Sequence, residues 1–276
     1  MKWLTPLGKT IVNILLLMFS LSAVFPIIWM LYSSFKTQKE FTLNTISLPE
    51  TWQFSNYIEA IQVGKLHEYF FNSVYISLSS VFLIIFLGFI IAYMIARFSF
   101  PGRKVIYILF MFGMLIPIHG LLVPIFIEFK NVGLLNKPYT LILPYVAFGL
   151  PIVIFLFESF IKQIPKEIDE AAIMDGCTTF QVIFKIIFPV ASPVIATAVI
   201  LSFLTAWNEF PFALVLIQDE ALRTLPVGLT NFNGQYTVNY PQMMAAMSIT
   251  VLPVLLIYLA FYKKIIQGMT AGSVKG

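Results

Sequence analysis

Charge is what this 276-residue chain has least of: 11% of its residues are Asp, Glu, Lys or Arg, against 59% that are apolar. A soluble globular domain carries roughly 25% charged residues, so that class is excluded. Cysteine is nearly absent. The lone Cys177 rules out an internal disulfide, and two histidines, His67 and His119, are too few for a metal centre built on histidine and cysteine. Neither G-x-S-x-G nor H-E-x-x-H occurs, and no nucleophile, base and metal ligands gather as an enzyme requires. Gly8-Lys9-Thr10 has the end of a phosphate-binding loop, but Trp3 stands where the first glycine belongs, so the chain is not expected to hydrolyse ATP. No long-period repeat or low-complexity tract divides the sequence, which reads as one membrane domain over 1–276 with its core at 69–264.

What is present is a set of uncharged runs at 10–35, 69–96, 105–127, 138–157, 186–208 and 224–262. Each holds a span of about 20 residues, the length that crosses a bilayer core. In the last run the helix is expected near 243–262, because 230–241 is polar and rich in Asn, Gly and Tyr. The expected fold is therefore all-α, a polytopic membrane protein with six transmembrane helices. With the N-terminus inside, the cytoplasmic segments hold eleven basic residues (Lys2, Lys9, Arg97, Arg103, Lys104, Lys162, Lys166, Lys185, Lys263, Lys264, Lys275) and the outer segments hold six. Both termini, and the segment 165–189, are predicted to be cytoplasmic. The net charge of +4 follows from this asymmetry, so no nucleic-acid partner is needed. The first apolar run is too long for a signal peptide and lacks a small-residue cleavage site, so it reads as an uncleaved helix.

Between the first two spans, 36–68 is too long for a turn and carries Pro49, Trp52, Phe54 and Tyr57, predicting an ordered outer segment whose aromatics anchor the interface or meet an external partner. His67 has no second ligand at helical spacing and reads as a surface histidine. Pro101-Gly102 makes 97–104 a turn. Pro117, His119, Gly120 and Pro124 predict that the third span is kinked and lines a cavity, with His119 buried as a hydrogen-bonded residue or a proton relay. Pro144, Gly149 and Pro151 give the fourth span hinge chemistry.

The segment 165–189, PKEIDEAAIMDGCTTFQVIFKIIFP, is the most polar long stretch of the chain. Pro165 suits a first helical turn, and Glu167, Asp169 and Glu170 complement the helix N-terminus. Gly176 is placed to close that helix in the left-handed conformation, and Thr178 or Thr179 to cap the next. The expectation is helix, tight turn, helix. Ile168, Ala171, Ala172 and Asp175 recur at helical spacing and predict one small-residue face for docking.

Glu170-Ala171-Ala172, Gly176 after three intervening residues, then nine to Ile186 and on to Pro189, resembles the cytoplasmic loop of bacterial ABC importer permeases. Phe188-Pro189 stands where that family usually has Leu-Pro, and is expected to preserve the bend. The resemblance implies that the loop, 161–190, is the coupling-helix pair seated on an ATPase, with Glu170, Ala171, Ala172, Asp175, Gly176, Ile186 and Pro189 at the contact. Trp207-Asn208-Glu209-Phe210, after Ala206, resembles the sugar-importing branch. Its physical sense is a polar end on an apolar helix near the outer mouth of a pathway, so Thr205, Trp207 and Asn208, with His119 of the third span, are expected to line it; the alternative is an interfacial belt. The tail 263–276 is similar to that of the maltose-importer type, which implies that Gly268, Thr270, Gly272 and Lys275 reach the ATPase.

The resemblance runs from about residue 69 to 276. It implies a second permease subunit, an ATPase dimer carrying the ATP and Mg, an extracytoplasmic sugar-binding protein, a bacterial plasma-membrane location and no cofactor on this chain. The competing readings are a proton-coupled carrier or channel using His119, and an intramembrane enzyme. Spans almost free of charge speak against ion coupling and favour a neutral, hydroxyl-rich solute, a sugar.

Overall fold

Helices occupy every long uncharged run, although three of the runs do not form single helices. The computed structural model describes residues 6–232 and 238–271, with side chains for 7–232 and 238–260. In chain order the helices are α1 (Pro6–Ser33), α2 (Gln38–Leu43), α3 (Ser55–Gln62), α4 (Leu66–Arg97), α5 (Arg103–Gly113), α6 (Ile118–Asn131), α7 (Ile142–Ile161), α8 (Lys166–Met174), α9 (Thr179–Val190), α10 (Ser192–Trp207), α11 (Pro211–Leu216), α12 (Leu225–Gly228) and α13 (Tyr240–Ala271). Four are long and apolar enough to cross a membrane: α1, α4, α7 and α13. The pairs α5–α6 and α9–α10 are bent by 91° and 84°, which gives six spans if each pair is one broken span.

The bend between α5 and α6 is a break rather than the expected kink. Pro117 disfavours helix at Ile116, and Gly113 just before is a weak helix former, so the chain leaves the helix at Met114 and restarts with a 3-10 turn at Ile118. The α9–α10 bend falls at Ala191, not at Phe188-Pro189. Consequently 186–190 belongs to the second arm of the hairpin, and the fifth span starts at Ser192 instead of Ile186. The last helix starts at Tyr240 and continues to Ala271, so most of the expected tail is helical backbone.

The chain divides into two compact units, one up to His67 together with Gly228–Leu252, the other Glu68–Val227 together with the residues from Pro253 onward. In the first unit the outer segment is ordered, as its composition predicted. Thr37 and Glu40 form a capping box on α2, and the Lys36 ammonium closes that helix from the other end by donating to the carbonyls of Asn44 (2.9 Å) and Thr45 (3.1 Å). Burial pushes the Lys36 amine down from its usual range, partly offset by Glu40. The Glu40 carboxyl is itself lowered, chiefly by the Thr37 N–H. Asn56 donates to the carbonyls of Ser34 and Lys36. Phe35 gathers Trp52, Phe54 and Tyr57 at 5.1–5.2 Å, so these rings hold the segment together as well as facing outward. His67 is exposed and meets the Ile61 carbonyl at 2.9 Å. No residue along the apolar length of α1 is buried.

In the second unit α4 crosses α7 at two glycines. A Cβ on Gly149 would lie 2.5 Å from Ile84 Cδ1, and one on Gly88 would lie 2.9 Å from Val153 Cγ1, so a side chain at either position would force its neighbour to shift. Around it Ile76, Leu141, Tyr145, Phe212 and Leu216 form a core with α7, α10 and α11, and Asn136 at φ 54 ties the following loop by accepting from the N–H groups of Gln218 and Asp219.

Candidate functional site: the 165–189 hairpin

The first arm of the hairpin is α8. Pro165 precedes it as the N-cap residue, at φ −55 and ψ 136, one position earlier than expected. The helix closes as a Schellman turn. The Cys177 N–H reaches the Ala172 carbonyl (3.0 Å) and the Gly176 N–H the Ile173 carbonyl (2.9 Å), with Gly176 at φ +85. A Cβ there would touch nothing within 4 Å, so the demand for glycine is purely one of backbone conformation. Thr178, not Thr179, then caps α9 in a reciprocal capping box with Gln181.

Within α9 the stretch Val182–Ile187 is π-helical, with the Phe188 N–H reaching back to the Ile183 carbonyl. Pro189 explains why: it lacks an N–H and its ring crowds the carbonyl one turn earlier, and the wider register relieves that contact without a kink. The bend is displaced to Ala191, just before Ser192-Pro193 restart the helix. Phe184 and Phe188 lie against Phe86 (5.6 Å) and Phe89 (5.0 Å), so the second arm is seated on α4.

The first arm is tied to α4 as well, by a contact that sequence reasoning missed. Asp169 points inward, accepts a 2.8 Å hydrogen bond from the Tyr93 hydroxyl and pairs with Arg97 at 2.9 Å. Arg97 also donates to the Ile164 carbonyl at 3.0 Å, just before the helix. The side chains of Arg97 and Asp169 are 6% and 10% exposed. Both arms of the hairpin are therefore fixed to one helix, at its cytoplasm-predicted end. One sequence signal existed: Arg97 is the first charge after a long apolar run.

The clamp sets the rotation of α8 and corrects the predicted docking face. Ala172 is buried beside Asp169, facing its own chain, whereas Ile168, Glu170, Ala171 and Asp175 are exposed. Ile173, Met174 and Phe180 are also exposed, at 56%, 88% and 62%. An otherwise polar hairpin thus exposes three large apolar side chains along with the carboxylates of Glu170 and Asp175. Ile186 is half-buried and Pro189 exposed.

The four pathway residues fare differently. Trp207 is 1% exposed and stacks on Phe203 at 5.4 Å with Phe70 edge-on at 5.8 Å, so it is a core residue and lines nothing. Thr205 and Asn208 are exposed but return their hydrogen bonds to Leu201 and Leu204 of their own helix. His119 is exposed on the 3-10 turn that opens α6, not buried as expected. Glu209 is the organising residue of that motif: it accepts from the N–H groups of Phe212 (2.7 Å) and Ala213 (3.0 Å), capping α11, and from the Tyr145 hydroxyl (2.6 Å). Glu209 thus makes this motif a corner between α10 and α11, with Trp207 packed inside it. In the tail, Gly268 and Thr270 lie on the α13 backbone, while Gly272 and Lys275 lie outside the described residues.

Residues 84–271 match the family model described as "Binding-protein-dependent transport system inner membrane component". The diacetylchitobiose uptake system permease protein NgcG of Streptomyces coelicolor is 38% identical over 261 residues, 94% of this chain and 86% of that one. The sulfoquinovosyl glycerol transport system permease protein SmoH of Agrobacterium fabrum is 36% identical over 92% of this chain and 90% of its own. Among solved structures, a bacterial ABC transporter involved in the import of the acidic polysaccharide alginate aligns with TM-score 0.82 at 24% identity, covering 95% of this chain and 98% of that one, a likeness of fold.

Proposed function

This chain belongs to the family of binding-protein-dependent transport system inner membrane components, as a multi-pass permease subunit of a bacterial ABC transporter, and from that premise we propose that it imports a carbohydrate. Support comes from the diacetylchitobiose and sulfoquinovosyl glycerol permeases to which it is similar, and from spans with few charges, which suit a neutral hydroxylated solute. The fold does not itself demand neutrality, since its solved neighbour handles an acidic polysaccharide.

In this proposal the chain supplies half of the translocation pathway beside a second permease subunit, and ATP and Mg are held by a separate ATPase dimer. The observation that carries the docking role is the apolar surface of Ile173, Met174 and Phe180 on a hairpin fixed to α4. Closure of the ATPase pair moves the hairpin, α4 moves with it, and the spans rock between inward-open and outward-open states. An extracytoplasmic binding protein delivers the sugar.

The test is co-purification with the ATPase, followed by ATPase stimulation in proteoliposomes across panels of sugars, amino acids and anions. The expected result is stimulation by a sugar-loaded binding protein. Stimulation by amino acids or simple anions alone overturns the carbohydrate assignment and leaves the coupling role standing. The termini and hairpin are proposed to face the cytoplasm. Cys177 should resist a membrane-impermeant thiol reagent in intact cells and react in inverted vesicles, with a Cys177→Ser chain as the blank.

A further inference from the structure

At the end of α4 the chain turns through 98–102 into α5, and between this link and the end of α7 lies a cavity of about 490 Å3. Its wall carries Arg103, Lys104 and Lys162, the hydroxyls of Ser99 and Tyr107, and one carboxylate, Glu158. That carboxylate is 3% exposed and is taken up by Lys162, whose ammonium lies 5.8 Å from the Tyr107 ring centroid. Arg103 donates to the Phe98 carbonyl at 3.3 Å. Among the described residues, neither Arg103 nor Lys104 pairs with an acidic side chain. Gly102 supplies no side-chain cap to α5.

The surroundings are as informative as the cavity. Val105, Ile106, Leu109 and Phe112 continue from it along α5 and are 40–63% exposed. A surplus of positive charge at one end of an apolar, outward-facing helix matches an amphiphile with an anionic head. A free phosphate would use the first feature and leave the second unexplained.

We propose that this cavity binds the phosphate headgroup of an anionic phospholipid, whose acyl chains lie along the exposed face of α5. The test uses the full chain, in the complex in which it is isolated, in nanodiscs of phosphatidylcholine doped with phosphatidylglycerol, with retained lipid read by native mass spectrometry. Phosphatidylglycerol should be retained in preference to phosphatidylcholine. A basic group near a headgroup is worth about fivefold, so Arg103→Gln with Lys104→Gln should weaken retention about twenty-fivefold. Lys104→Glu alone, on an exposed side chain that the fold does not use, should weaken it comparably. Lys130→Gln with Lys137→Gln, which removes the same charge from exposed positions elsewhere, should change nothing. Equal retention by the cavity variants and this control overturns the proposal. Displacement of the lipid by inorganic phosphate at equal concentration overturns it in favour of a free anion, and loss of a protein subunit instead of lipid in Lys104→Glu overturns it in favour of a protein contact.

Discussion

Replacing Asp169 with alanine should uncouple the hairpin from the membrane helices. The substitution leaves the Arg97 guanidinium 6% exposed with only the Ile164 carbonyl as partner, and takes the acceptor from the buried Tyr93 hydroxyl. Breaking a buried ion pair from one side costs about 3–5 kcal/mol, and the lower end applies because both side chains retain slight contact with solvent. At about 3 kcal/mol the clamped arrangement loses a factor of roughly 150 against its open alternatives. The exposed face of α8 is untouched, so ATPase should still co-purify and hydrolyse ATP, while sugar uptake per ATP falls steeply. The partner control replaces the whole cluster with apolar groups, Tyr93→Phe, Arg97→Met and Asp169→Leu. No charge or hydroxyl is then left unpaired, and thermal stability should return to within about 1 kcal/mol of the starting protein, as apolar replacements of buried ion pairs commonly allow. The assays are thermal unfolding, uptake and ATPase rate on the same preparations. An Asp169→Ala chain with unchanged melting and uptake refutes the clamp, and so does a triple variant as unstable as the single one.

Three further outcomes are expected. Gly176→Val should reach the membrane at normal levels but lose transport, because a β-branched residue at φ +85 costs at least about 1–2 kcal/mol and reorients α9, whereas Gly176→Asn should keep much of the activity; quantified membrane protein beside uptake separates the two. Glu170→Lys, on an exposed side chain, should leave melting unchanged and abolish ATPase pull-down, while Thr179→Ala should be silent because Thr178 makes the cap. Glu209→Ala should lower stability by about 2–3 kcal/mol, since α11 loses its cap and the Tyr145 hydroxyl its acceptor, with no selective effect on which sugar is carried; a shift in sugar preference at normal stability would return this corner to the pathway.

Much of this protein was legible from sequence because its strongest signals are local. The scarcity of charge and the six long runs dictate a membrane protein, since a span needs only about 20 apolar residues in succession. The turn at Gly176 and the cap at Thr178 follow from conformational preferences settled within four residues. What tertiary structure decided is how each helix is rotated and where its side chains end. Spacing put Ala171 and Ala172 on one face, yet Asp169 fixes the rotation of α8, through a Tyr93 76 positions away, and turns Ala172 inward. Trp207 looked like a mouth residue because composition cannot distinguish an aromatic at an interface from one stacked on Phe203. The bend expected at Pro189 moved to Ala191 because a π-helical stretch, packed on the phenylalanines of α4, absorbed the proline. Periodicity fixes which residues share a face, but which way that face points is set by partners distant in the chain.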